Sequence, residues 1–376
     1  MKEIGILEIF HHWDCVYITS RICKTNMTNV TIFTTSHIYS QLKIAFGKNI
    51  SDYNFIIKDE NETKKLFIKK VKKICNEKID LLFIITIPHD VRHWPIFLTF
   101  KPKTNIVLFI HEIENWIKPK ILFNFNNIQK TINNNLKAIL RKIILPRFIA
   151  INVMYPPMMD YVKNKTNYNK KVFNMGFLCE NPAKKINPKK ISFLIHGRIK
   201  EERGDYNSLL DVFEKLFEKH ENISLTLLGY PVGNYGKKII EKCKKLRKRG
   251  YDINWFVSFI DLKEWEESFR KSNIAICPLS TKIITMGHYI NSGIFYDACR
   301  YPTPILIPKT MPVSKKIISS TKTYSDMNEL FYILDYYIKH KKELQEFQKK
   351  AFENSKKFSL EKLRNEFLKN IKEINI

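Results

Sequence analysis

The residues best suited to chemistry lie in two short segments of the second half of the chain. In Ile195-His196-Gly197-Arg198-Ile199-Lys200-Glu201-Glu202-Arg203-Gly204 an apolar run ends, a glycine permits a turn, and an arginine follows, with a second arginine five positions on. Two guanidinium groups at a strand mouth form a fork for a diphosphate, because each offers charge-assisted, bidentate hydrogen bonds. The same spacing also suits an ordinary strand–turn–helix carrying surface charge. In the stretch from Tyr289 to Pro304, Ser292-Gly293 stands where a helix should begin. Unpaired amides and the helix dipole there attract an anion, and glycine lets a phosphate come close. Asp297, about one turn inside that helix, would reach a ribose hydroxyl pair. The plain alternative is Ser292 as an N-cap and Asp297 as a solvated helix charge.

The first half offers weaker groupings. His11-His12-Trp13-Asp14 follows the first apolar run, and two imidazoles with an indole at a strand mouth suit sugar stacking or phosphate contact. His89, Asp90, Arg92 and His93 form a second polar cluster after another apolar run. The chain has no HExxH, no CxxC and no Asp-x-Asp, so no metal is expected on a diphosphate. Neither a Gly-x-Gly-x-x-Gly nor a Walker loop is present, which removes support for dinucleotide oxidoreductase and P-loop readings.

The elements that must position these groups follow a βαβ rhythm. Nearly continuous apolar runs at Ile4–Phe10, Val30–Thr35, Leu81–Ile87, Ile106–Ile110 and Phe148–Met154 predict strands covered on both faces. Asn61–Lys78, with Leu66, Val71 and Ile74 among lysines, predicts a helix between the second and third. The second half repeats the pattern with strands at Ile191–His196, Ile223–Leu228, Ile253–Val257, Ile274–Pro278 and Pro304–Ile307. Helices are expected over Tyr206–His220, Lys237–Arg249 and Ile294–Arg300. Cys179–Lys190, with two prolines and four lysines, predicts a solvated linker. The expectation is α/β architecture: two Rossmann-like doubly wound domains, 1–178 and 179–350, followed by a terminal helix over 351–376 that packs back on them. Two such domains facing each other would line a cleft with the carboxyl ends of both sheets.

Composition agrees with two packed cores: 376 residues, 44% hydrophobic and 13% aromatic. Lys+Arg exceeds Asp+Glu by 64 to 37, a net +27, which calls for an anionic partner. Seven scattered cysteines read as buried small hydrophobes in a reducing compartment, and no apolar window is long enough to span a bilayer. A cytoplasmic protein is expected, with peripheral attachment to the inner membrane face as an extension of that reading.

Residues 191–310 resemble the nucleotide-binding domain of GT-B glycosyltransferases, in particular the retaining enzymes of family 4. Gly197-Arg198 matches the start of that family's Gly-Arg-x-x-x-x-Lys-Gly segment, with Arg203-Gly204 in the Lys-Gly place. Leu228-Gly229-Tyr230 resembles its later Leu-Gly element, and the region ending Asp297-Ala298-Cys299-Arg300-Tyr301-Pro302-Thr303-Pro304 resembles its acidic stretch. Asp297 replaces the second glutamate of that stretch, and Tyr289 stands at the first. The resemblance implies a nucleotide-diphosphate-sugar donor bound by Gly197, Arg198, Arg203, Gly229, Ser292, Gly293 and Asp297, with no resident cofactor, and transfer with retention to an acceptor hydroxyl. Arg198 and Arg203 would stabilise charge growing on the leaving diphosphate. His111, ending an apolar strand, resembles the histidine that faces the donor sugar in such enzymes, and His11, His12, Trp13, His89 and Arg92 fall on the acceptor side. A non-catalytic protein that binds a nucleotide sugar or glycan is the alternative, favoured by Tyr289.

Asn127–Leu145 carries Ile128, Ile132, Leu136, Ile139, Leu140, Ile143 and Ile144 at helical spacing against Lys130, Lys137, Arg141 and Lys142. Such a helix suits an anionic membrane surface, where lipid-phosphate-linked acceptors sit, and suits core packing equally well. Nucleic acid is a poor partner, because aromatics are not interleaved with the basic runs.

Overall fold

The computed structural model describes residues 1–374 apart from 89, 120, 122–127, 181, 187, 188, 259 and 279–291. The chain divides into two compact units, one of Met1–Gly176 with Leu360–Ile376, the other of Phe177–Ser359.

The first unit is built on a seven-stranded sheet: β1 (Lys2–Leu7), β2 (Thr28–Thr35), β3 (Asn54–Lys58), β4 (Leu81–Ile84), β5 (Asn105–Ile110), β6 (Ala150–Val153) and β7 (Lys171–Phe173). Its order is 3-2-1-4-5-6-7 and every ladder is parallel, with Ile4 opposite Val30 on one side and Leu81 on the other. The helices are α1 (Trp13–Cys23), α2 (Ser36–Phe46), α3 (Lys64–Lys78), α4 (Trp94–Thr99), α5 (Ile113–Ile117), α6 (Ile128–Ile144) and α7 (Pro156–Lys165). Strands buried on both faces must be apolar throughout, and β4 and β6 are wholly buried.

The second unit repeats the design with β8 (Ile191–His196), β9 (Ile223–Leu228), β10 (Ile253–Trp255), β11 (Ile274–Ile276), β12 (Ile305–Pro308) and β13 (Thr321–Tyr324). All its pairs are parallel, in the order 10-9-8-11-12-13, with Ile195 between Leu227 and Ile276. Around it run α8 (Tyr206–Lys219), α9 (Gly233–Lys248), α10 (Leu262–Lys271), α11 (Gly293–Arg300), α12 (Met327–Lys339) and α13 (Lys341–Ser355). Helix α8 starts where the Asp205 carboxylate caps the Ser208 amide, and it buries Leu209, Leu210, Phe213 and Leu216 on the sheet.

Two expectations change. The 351–376 segment is not one helix: α13 runs on to Ser355, and α14 (Leu360–Glu373) starts afresh and joins the first unit. Phe358 marks the break, buried in the second unit with its carbonyl taken by the Cys179 amide. The linker is also less solvated than its lysines suggested. Lys185 turns inward and its ammonium donates to the carbonyls of Phe269 and Ser272 and to Thr303 Oγ1, while the Ile186 amide bonds the Arg270 carbonyl.

Candidate active site

In an open parallel sheet the chain runs to opposite sides from two adjacent strands, and the gap outside their carboxyl ends receives ligands. In the second unit those strands are β8 and β11. Gly197 follows β8 at φ +114, a left-handed conformation only glycine adopts without strain. The turn after it is clamped by a buried tyrosine: Tyr206 donates its hydroxyl to the carbonyls of Gly197 (2.7 Å) and Arg198 (3.0 Å). Gly229, at the end of β9, is a close-approach position, since a Cβ there would lie 1.9 Å from the Gly197 carbonyl oxygen. Arg198 is exposed, with its guanidinium 5.2 Å from the Tyr230 ring centre and no carboxylate partner among the described residues. Arg203 is exposed in the next turn, and Gly204 packs so tightly on Pro278, just past β11, that a Cβ would meet its carbonyl at 2.3 Å.

The start of α11 faces the same strand ends. Ser292 is its N-cap residue and lies 4.0 Å from the Cys277 sulfur at the end of β11. The side chain of Ser292 makes no capping bond, and the positive end of the α11 dipole lies at this first turn. A Cβ on Gly293 would touch the His196 ring at 3.2 Å. His196 Nε2 and Asp297 Oδ2 share a hydrogen bond of 2.9 Å, and the edge of Trp265 packs against the imidazole. Thus Gly197, Arg198, Arg203, Gly229, Ser292, Gly293 and Asp297 all border the carboxyl ends of β8, β9 and β11. The sequence reading gave no role to His196 or Tyr206. His196 ends an apolar strand as His111 does, and that was the available signal.

In the first unit the corresponding gap lies between β1 and β4. Glu8, directly after β1, is buried there, and its carboxylate accepts from the amides of Phe10 (2.6 Å) and His11 (3.2 Å) and from the Thr86 hydroxyl. Burial pushes its pKa up to about 7, against the lowering effect of these three donors. The loop so held stacks its imidazoles: His11 lies 4.2 Å from His12, and His12 lies 4.5 Å from His111 at an interplanar angle of 16°. His111 Nε2 is 3.2 Å from the Ile85 carbonyl. His11, His12 and His111 therefore gather at one place, with Trp13 next in the chain as the first residue of α1. Arg92 is exposed on the loop after β4, tied to Asp90 at 2.5 Å, and His89 lies outside the described residues, as does Tyr289. The charged residue inside the run Ile4–Phe10 was the sign of Glu8 that the sequence reading left unused.

Among the described residues one group brings metal-ligand atoms together, His12, Asp14 and Cys15 within 4.8 Å. Burial holds the Cys15 thiol well above its ordinary range, so at neutral pH it keeps its proton and is a poor ligand.

No family model and no curated protein matches the sequence. Solved structures do match along the whole chain. HepE from Anabaena, solved in complex with UDP, superposes with a TM-score of 0.65 at 12% identity, covering 99% of this chain and 100% of that one. A glycosyltransferase from Rickettsia africae gives 0.63 at 13%, covering 100% and 98%. A UDP-forming trehalose-phosphate synthase from Burkholderia xenovorans gives 0.61 at 10%, covering 100% of both chains. The fold is that of the GT-B glycosyltransferases: two Rossmann-like units with parallel sheets.

Proposed function

We propose that the protein transfers a sugar from a nucleotide-diphosphate sugar to an acceptor hydroxyl, with retention at the anomeric carbon and without a metal on the diphosphate. The observation that carries this reading is the convergence, at the carboxyl ends of β8 and β11, of the Gly197-Arg198 turn, the Gly204 turn and the first turn of α11. Such a convergence would offer a departing diphosphate guanidinium groups and helix-start amides near one another, which stabilise charge most where it grows. In this reading Arg198 and Arg203 neutralise the diphosphate, Ser292 and Gly293 offer amides, and Asp297, oriented by His196, meets the ribose. His111 contacts the transferred sugar, and His11, His12, Trp13 and Arg92 serve the acceptor. Retention rests on the likeness of Gly197-Arg198 and Arg203-Gly204 to the family 4 segment. HepE was solved with UDP and glucose, which makes uridine-diphosphate sugars the first donors to try.

The acceptor we propose is a glycan or a lipid-phosphate-linked hydroxyl at the cytoplasmic face of a membrane. The net charge of +27 supports an anionic surface, and seven buried cysteines outside any disulfide suit a reducing compartment. No helix among the described residues is long and apolar enough to cross a membrane, so contact would be peripheral.

A panel of nucleotide sugars tested by thermal shift should show one that raises the melting temperature, since a ligand of the folded state stabilises it. Arg198→Ala should keep the fold and cut turnover on that donor by about 10²-fold or more; near-normal turnover removes the assignment. Tyr289, where the resembling family has a carboxylate, favours a second reading as a non-catalytic nucleotide-sugar binder. Slow donor hydrolysis without acceptor argues for transfer, and its complete absence argues for the binder.

A further inference from the structure

Helix α6 is mounted the opposite way round from an ordinary surface helix. Ile128, Ile132, Leu136, Ile139 and Ile143 are spaced to share one face, and all five are 41% to 63% exposed. The side turned to the protein buries Ala138 and Ile144 and, between them, Arg141, whose guanidinium is 3.5 Å from the Glu112 carboxylate and 5.5 Å from the Trp116 ring centre. A helix normally buries its aliphatic stripe and exposes its charges, and an exposed apolar stripe of this length marks a contact surface.

Charge decides what the stripe meets. The 17 residues of α6 include Lys130, Lys137, Arg141 and Lys142 and no acid. A second copy of the chain would bring another +27 toward it, which mutual repulsion opposes. An anionic lipid surface accepts both features, taking the aliphatic side chains at the acyl boundary and the lysines at the headgroups.

We infer that α6 is the membrane-docking element of this protein, lying flat in the interface of an anionic bilayer with Ile132 and Leu136 at the centre of its inserted face. The inference rests on the peripheral-membrane part of the proposed function and gives it an element and an orientation.

The test is sedimentation of the full chain with vesicles of phosphatidylcholine alone or mixed with phosphatidylglycerol. Wild type should sediment with the mixed vesicles and far less with the neutral ones. Ile132→Asn/Leu136→Asn, changed only at exposed positions, should keep its melting temperature and bind mixed vesicles roughly tenfold more weakly. Lys142→Glu should weaken binding by about fivefold or more. Undiminished binding by the double variant overturns the inference, as does failure of wild type to bind either vesicle. It is also overturned if wild type self-associates and the double variant is monomeric, for the stripe is then a protein interface. UDP-induced stabilisation of the same variants reports on the second unit alone, so a lost donor site and a lost membrane contact read out separately.

Discussion

Glu8 links acidity to stability at the residue scale. Its carboxyl has a pKa of about 7 in the fold against an ordinary 4.5, so between those values the folded chain keeps a proton that the unfolded chain has released. Stability therefore falls as pH rises through that window. Glu8→Gln removes the ionisation, and urea melts from pH 4.5 to about pH 8 should show wild type losing about 3 kcal/mol relative to the variant. Parallel pH profiles would refute this. Gly229 makes a steric prediction: a methyl 1.9 Å from the Gly197 carbonyl must displace the turn that carries Arg198. Gly229→Ala should thus destabilise the second unit by about 2 kcal/mol or more and abolish stabilisation by the donor. The places of Arg198 at a turn and of Ser292 and Gly293 at a helix start were legible from sequence because turn glycines and helix starts have local signatures. The His196–Asp297 bond was not, since it joins residues 101 apart and only the sheet order brings them together.

At the scale of elements, α14 is the piece whose partner a sequence cannot name. Its Leu363, Phe367 and Ile371 are buried, with the Phe367 ring 6.4 Å from that of Phe83 in β4. Phe367→Ala should destabilise the first unit by about 3–5 kcal/mol, measurable as a lowered melting temperature with stabilisation by the proposed donor retained. The periodicity of the chain revealed most other elements: β8 and β9 fall on their expected residues and α8 ends within one residue of its own. It hid β3, β7 and β13, which are only three to five residues long and carry Lys58, Lys171 and Lys322. Strands at sheet edges bury less and need fewer apolar residues, so their signal is weak. The first strand stops at Leu7 rather than Phe10 because the Glu8 carboxylate takes the amides that would have continued it.

For the whole molecule, two units with separate cores predict separable unfolding. Calorimetry should resolve two transitions, and saturating donor should raise only that of the second unit, by about 2.7 kcal/mol at a hundredfold excess over Kd. A single transition that moves as one would contradict this. The chain path adds a constraint on biosynthesis. The backbone leaves the first unit at Gly176, completes the whole of the second, and returns at Leu360. During vectorial synthesis on a ribosome, Met1–Gly176 must wait, with the face that α14 covers open to water, until the segment after Leu360 emerges. A stop codon ahead of Leu360 would therefore injure a unit whose whole sheet had already been translated.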